Sequence, residues 1–178
     1  MAEKFTNAFG RGVGIVTSSA NGVVGASTDR ITGVGTTGVN VGDMLDTLNW
    51  IGGTKVASIV VPDTIVLDRY STNVSSVTNQ SVKVLGVTTT YTSPADTKSI
   101  LIGGTLTNNT TNQVGASVQI ATGSTSYNLM WDVPIPSGSS FVISDAGKTT
   151  LLAGEELRIL CDTANALDVS ISILQGVN

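Results

Sequence analysis

The segment Asp168-Val169-Ser170-Ile171-Ser172-Ile173 alternates polar and apolar side chains with a period of two. The same alternation occurs over residues 114–121 and 156–162. Successive side chains of a β-strand point to opposite faces, so this pattern places one face in a core and the other in a polar setting. These segments predict half-buried strands and an all-β fold.

Turn-forming residues separate these strands at short intervals. Gly, Pro, Asn, Asp and Ser cluster at 93–96, 108–113, 122–124, 134–138, 145–147 and 153–155. We therefore predict eight strands in the second half of the chain, at 81–91, 98–107, 114–121, 125–133, 139–144, 148–152, 156–162 and 167–174. Short strands at this spacing are typical of an antiparallel β-sandwich, which we expect to be jelly-roll-like.

The first half of the chain has a different character, because residues 1–42 carry a glycine every few positions. Such a stretch makes a weak isolated strand and gains order from a neighbour. We predict a Gly-rich N-terminal arm and small β module over residues 1–85, followed by the sandwich over residues 86–178. The best helical candidate is 41–50, where apolar side chains fall on one face.

The composition excludes several classes of function. The 178 residues include no His and one Cys, so a histidine metal site, a Ser-His-Asp triad and an internal disulfide are excluded within the chain. The net charge is -4 and Lys plus Arg number nine, which disfavours a nucleic-acid partner. No apolar run approaches the roughly 20 residues of a membrane span, and residues 1–7 lack the apolar core of a signal peptide. We expect a protein that is made in a cytoplasm and has no membrane partner.

Motifs that could carry chemistry are sparse. Residues 33–38 match G-x-G-x-x-G, but the strand and helix that a dinucleotide site needs are not predicted around them, so we expect a Gly-rich turn. A catalytic carboxylate pair must converge across a cleft, which spacing alone does not show. The candidate pairs are Asp43 with Asp46, Asp63 with Asp68, and Glu155 with Glu156. The lone Cys161 is predicted to face the core as a small apolar side chain. We expect no enzyme, no cofactor and no metal site.

Two phenyl rings mark the candidate interface. Phe5 and Phe9 lie beside Arg11 in an otherwise polar N-terminal segment. Aromatic and Arg side chains are good anchors for a neighbouring subunit. Either the segment is an arm that reaches a neighbour, or it folds back on its own domain, and both readings stay open here. If it is an arm, deletion of residues 1–14 should leave the sandwich folded and weaken assembly.

Several segments in the second half of the chain carry a resemblance to a known family. These are residues 91–95, 100–103, 106–108, 127–129, 133–140, 151–159 and 166–172, which include Val133-Pro134-Ile135-Pro136-Ser137-Gly138 and Leu151-Leu152-Ala153-Gly154-Glu155-Glu156. This part of the chain is similar to a β-sandwich that is common in virion proteins of tailed bacteriophages, especially cyanophages. Residues 31–39 also resemble a Thr/Gly motif of such proteins.

The resemblance implies a structural role in a bacteriophage virion, with no catalytic residues to carry over. We expect a capsid decoration or cement protein; a tail, neck or fibre adaptor is the near alternative. The implied partners are the major capsid protein or other virion proteins, and copies of the chain itself, which we take to form a trimer. An alternative of another class is a host-surface carbohydrate-binding module around Tyr127, Trp131 and Asp132.

Overall fold

The computed structural model describes residues 3–143 and 149–177, and its regular elements are all β-strands, which confirms the all-β prediction. The predicted turn at 145–147 lies outside these residues. In chain order the strands are β1 (Lys4–Val13), β2 (Ile15–Val24), β3 (Arg30–Thr32), β4 (Met44–Thr47), β5 (Val56–Val60), β6 (Thr64–Leu67), β7 (Val77–Gly86), β8 (Thr88–Thr92), β9 (Lys98–Asn108), β10 (Val114–Thr122), β11 (Thr125–Ile135), β12 (Ser140–Ile143), β13 (Thr149–Leu151), β14 (Glu156–Cys161) and β15 (Leu167–Val177). The described residues contain no helix long and apolar enough to cross a membrane.

The chain forms two compact units, each assembled from separate segments. The first unit comprises Met1–Val13, Thr88–Ile159 and Ala166–Asn178, and the second comprises Gly14–Val87 and Leu160–Asn165. This differs from the single division that the sequence suggested between residues 85 and 86, because β1 pairs with β15 and so belongs with the C-terminal strands. Of the two readings of the N-terminal segment, the structure shows the one in which it folds back on its own domain.

The first unit is an antiparallel β-sandwich. One sheet has the order β1-β15-β9-β12, with β13 also on β9, and the other has the order β11-β10-β14-β8. In β15, Val169, Ile171 and Ile173 are buried and Ser170 is exposed, as the period-two pattern predicted. The Tyr91 hydroxyl of β8 lies 2.8 Å from the Ser99 Oγ of β9 and accepts a hydrogen bond from Gln175 Nε2 of β15, also at 2.8 Å, so polar contacts join the two sheets.

The second unit contains a six-stranded sheet of order β4-β7-β2-β3-β6-β5. Its buried core is made of apolar side chains from these strands and their connections, namely Val24, Ile31, Val34, Val39, Leu45, Trp50, Val56, Ile65, Leu67, Val82 and Val84. Glycine permits close packing here, because a Cβ on Gly22 would lie 2.7 Å from side-chain carbons of both Ile31 and Val34. Strand β2, which carries Gly22, is a central strand of this sheet.

Two local predictions from the sequence were wrong. The helix expected over 41–50 is absent, because Met44–Thr47 forms β4 and pairs with β7. Gly42 and Asn49 flank this strand with φ of 94° and 73°, values that an α-helix does not contain. The strand expected over 81–91 is two strands, since β7 ends at Gly86 and β8 begins at Thr88 in a different sheet.

The G-x-G-x-x-G segment lies in the connection between β3 and β4, as a turn-rich stretch with no helix after it. Gly33 and Gly38 have φ of 74° and 81°. The Val34 N–H donates to the Asp63 carbonyl oxygen at 3.0 Å, so this amide is engaged within the fold. The segment therefore lacks the strand–turn–helix arrangement of a dinucleotide site.

Candidate interaction surface

Strand β1 presents one face of alternate side chains to solvent. Phe5 and Phe9 are 74% and 72% exposed, and Asn7 and Arg11 on the same face are also exposed. The intervening side chains are partly buried because β1 lies along the sandwich and pairs with β15. The structure thus brings together all three residues that the sequence singled out, Phe5, Phe9 and Arg11, on one face of one strand.

The pairing register extends this face across the sheet. Phe9 lies opposite Ser170, Ser170 opposite Thr105, and Thr105 opposite Val142. Directly opposed residues of antiparallel strands share a face, so rings, hydroxyls and a valine form one continuous surface. We call this surface the outer face. Its members are Phe5, Asn7, Phe9, Arg11, Gly103, Thr105, Thr107, Ser140, Val142, Asp168, Ser170 and Ser172.

One end of the outer face is concave. A depression of about 410 Å³ is lined by Phe9, Arg11, Thr105, Asp168 and Ser170, together with neighbouring residues of the same strands. The Asp168 carboxylate accepts a hydrogen bond from the Gly12 N–H at 3.2 Å, which ties it to the bulge in β1. Within residues 3–143 and 149–177, the Arg11 guanidinium has no carboxylate within ion-pair distance. The depression therefore combines an aromatic ring, hydroxyl groups, one carboxylate and one guanidinium that are not in ion-pair contact.

Sequence reasoning missed the hydroxyl-bearing half of this surface. Ser170 and Ser172 were recognised as the polar positions of a half-buried strand, but their neighbours Thr105 and Val142 were not connected with them. The alternation in each strand shows which residues face outwards, whereas only the register shows which of them are adjacent.

Carboxylates of the candidate pairs are engaged in local contacts. Glu155 accepts hydrogen bonds from Thr122 Oγ1 at 2.6 Å and from the Leu152 N–H at 2.8 Å. Glu156 accepts from Arg158 Nε at 2.7 Å, and this contact lowers the pKa of Glu156. Asp46 lies 3.6 Å from Lys83 Nζ. In the part of the chain that the structure describes, no group of three or more acidic or Cys side chains could hold a metal ion.

Asp43 differs from the other carboxylates because it is buried, and this burial raises its pKa above the ordinary 3.8. Its Oδ2 accepts a hydrogen bond from the Asn40 N–H at 2.8 Å. A raised folded-state pKa favours the protonated form, so the stabilising contribution is present at low pH and is lost as pH rises through that pKa.

We expect Asp43→Asn to abolish the loss of stability that accompanies ionisation of Asp43, since an amide keeps the acceptor oxygen without the charge. The stability of the variant relative to the unmodified chain should therefore increase as pH rises from about 4 to about 7. Urea denaturation across this range measures the effect, and Asp63→Asn, which removes an exposed carboxylate, controls for net charge. A relative stability that falls with rising pH would contradict the expectation.

Cys161 is buried, which confirms its predicted inward placement. Burial raises the pKa of its thiol to about 12. Because the thiolate is the nucleophilic form, this thiol is poorly suited to nucleophilic chemistry at neutral pH.

The alternative carbohydrate site on β11 has one exposed ring. Tyr127 is 62% exposed, whereas Trp131 and Asp132 are partly buried. The Asp132 N–H donates to Ser117 Oγ at 2.9 Å, and Asp132 has a φ of 48°. The three residues therefore do not form an exposed aromatic platform of the kind that stacks on sugar rings.

No known protein family matches the chain, and no curated protein matches it either. Two solved structures from infectious bursal disease virus show a weak likeness. The structure of the Gx strain has a TM-score of 0.38 and 8% identity, over 98% of this chain and 72% of that chain. The structure of the T13 viral particle has a TM-score of 0.37 and 9% identity, over 98% of this chain and 68% of that chain.

Proposed function

We propose that this protein is a structural component of a bacteriophage virion, and specifically a capsid decoration (cement) protein. It would bind the major capsid protein through the outer face. The observation that carries the proposal is the exposure of Phe5 and Phe9 on a rigid, paired strand. The likeness of the C-terminal sequence to the β-sandwich of tailed-phage virion proteins supplies the setting.

The mechanism is burial of surface. A phenyl ring that moves from water into a packed interface contributes about 1.5–3 kcal/mol. The β1–β15 ladder orders the backbone that carries both rings before binding, so a partner does not have to order this strand when it covers them. The surrounding hydroxyls of Thr105, Thr107 and Ser170 can exchange hydrogen bonds with a partner at the rim.

Two features suit a protein that binds one shell in many copies, namely the repetition of the same contact and the low charge of the chain. A standard interface buries about 1,600 Å² in total, and many such contacts on one shell act together. The net charge of -4 with 12% charged residues limits the repulsion between closely spaced copies. A decoration protein would therefore stabilise the shell by covering junctions between coat subunits.

The test is decoration of particles by variants of the outer face. We expect Phe5→Ser with Phe9→Ser to weaken binding to the parent phage capsid by at least about 30-fold, because two buried rings are lost. Quantitative co-sedimentation with capsids that lack the protein measures this, and an electron-microscopy map of intact particles places the chain. The variant should keep the unmodified melting temperature, because both rings are exposed in the free protein.

Val74→Ser is the matched control, since Val74 is 94% exposed but lies in the second unit. It should bind capsids like the unmodified chain. Equal decoration by the double Phe variant would overturn the role of the outer face. Density for the chain on the tail, neck or fibres would overturn decoration in favour of an adaptor role.

A further inference from the structure

Strand β1 lies at a sheet edge. Among the described residues it pairs with β15 alone, so its other side faces no ladder partner. Natural edge strands are usually protected from pairing by prolines, bulges or inward-pointing charges. Charged side chains, above all Lys, protect edges as well. Residues 5–10 contain neither proline nor a charged side chain and keep a regular register, and the bulge falls only between Gly10 and Val13. This edge is therefore a competent template for another strand.

The sequence of β1 is complementary to itself when it is read in the opposite direction. Centring an antiparallel pair on Asn7 places Phe5 opposite Phe9 of a second copy, and Glu3 opposite Arg11 of that copy. Phe5, Phe9 and Arg11 lie at alternate exposed positions of β1, with Arg11 inside the bulge, and Glu3, which directly precedes the strand, is also exposed. We propose that two copies of the chain pair their β1 strands in this register, about a two-fold axis through Asn7.

Other registers lose this complementarity. Centring on Thr6 or on Ala8 places a ring opposite Asn7 and leaves Arg11 without Glu3 opposite it. A shift of one residue joins the exposed face of one copy to the half-buried face of the other. Parallel pairing in register places Arg11 opposite Arg11 and Glu3 opposite Glu3, which is repulsive. Within residues 3–143 and 149–177, neither Glu3 nor Arg11 has an ion-pair partner, so both are available.

The resulting dimer has one sheet that continues through both copies. Its outer face carries a row of four phenyl rings, so the apolar surface offered to a coat subunit is doubled. The inference deepens the proposed function by naming one partner, a second copy, and it replaces the trimer that the sequence suggested. The pairing itself depends only on β1 and can be tested without particles.

Cysteine cross-linking of the full chain tests the register. Asn7→Cys places two thiols opposite each other across the axis, within the roughly 4.4–6.8 Å Cα separation of a disulfide. Phe5→Cys and Phe9→Cys alone place them too far apart, whereas an equal mixture of these two variants aligns them. We expect mild oxidation to cross-link Asn7→Cys at least about tenfold faster than either Phe variant alone. The mixture should cross-link as heterodimers, and the buried Cys161 should not compete.

Exchanging the charges of Glu3 and Arg11 tests the contacts at the two ends of the paired β1 strands. Glu3→Arg or Arg11→Glu alone should weaken dimerisation about tenfold in analytical ultracentrifugation at low salt, because each creates two like-charge contacts. The double variant, which exchanges both charges, should restore it. Equal cross-linking of Asn7→Cys and Phe5→Cys, a monomer at all concentrations, or a trimer would overturn the inference. A dimer that does not bind capsids would refute the proposed function alone, whereas a monomer that decorates capsids would refute the dimer alone.

Discussion

Deletion of residues 1–13 is expected to unfold the first unit rather than leave a folded sandwich. The deletion removes the whole of β1, whose ladder with β15 runs from Lys4 to Val13. It also removes Val13, which is fully buried, and leaves β15 with β9 as its remaining ladder partner among the described residues. Loss of a complete strand from a small sandwich costs more than about 5 kcal/mol, which is comparable with the total stability of a domain.

Circular dichroism and urea denaturation measure this effect, and deletion of residues 1–3 is the control because it leaves β1 intact. The short deletion should keep the unmodified transition midpoint. A folded, cooperative protein after the longer deletion would show that β1 is a detachable arm, which is the alternative that the sequence alone left open.

Among substitutions that add one methyl group to a glycine of this chain, Gly14→Ala is expected to reduce folding stability the most. Gly14 has a φ of 96°, a conformation that L side chains rarely adopt. A Cβ there would also overlap the Thr163 carbonyl oxygen and lie 3.1 Å from the Asn165 backbone nitrogen. The Asn165 N–H donates to the Gly14 carbonyl oxygen at 3.1 Å, so this backbone cannot move away without losing a hydrogen bond. We expect a loss of about 3–5 kcal/mol in stability.

Two other glycines separate the two contributions to this loss, which are backbone strain from a positive φ and steric overlap of the added Cβ. Gly33 has a positive φ but open space around the position of a Cβ, so Gly33→Ala should cost only about 1–2 kcal/mol of conformational strain. Gly35 has open space and no positive φ, so Gly35→Ala should change stability by less than about 1 kcal/mol. Urea midpoints should fall in that order. An equal effect at Gly14 and Gly35 would contradict the close approach of backbone atoms at Gly14.

The C-terminal strands were predictable because their side chains alternate and turn residues separate them. Residues 98–107 and 167–174 were assigned as strands, and the structure contains β9 and β15 there. The alternation also placed Val169 and Ile171 in the core, because burial of alternate apolar side chains dominates the stability of a half-buried strand.

The pairing of β1 with β15 could not be predicted from the sequence. Strand β1 is rich in Gly and polar residues on its inner face, so no apolar period marks it as part of the sandwich. Its position is set by a ladder to a strand at the other end of the chain, and local pattern contains no information on such long-range contacts. The concave part of the outer face was missed for the same reason, since it depends on the registers among several strands.

Because of the same pairing, β1 can take its place in the first unit only after β15 has been synthesised. Lys4 lies opposite Gln175, so β1 is translated before its partner strand and can pair with it only after residues 14–166 have been synthesised. Until then Phe5 and Phe9 belong to an unpaired, flexible peptide and not to a preformed binding surface. A product released before β15 is made lacks the strand that displays those rings. Under the proposed function, we therefore expect incomplete polypeptides to be excluded from virions without a separate proofreading step.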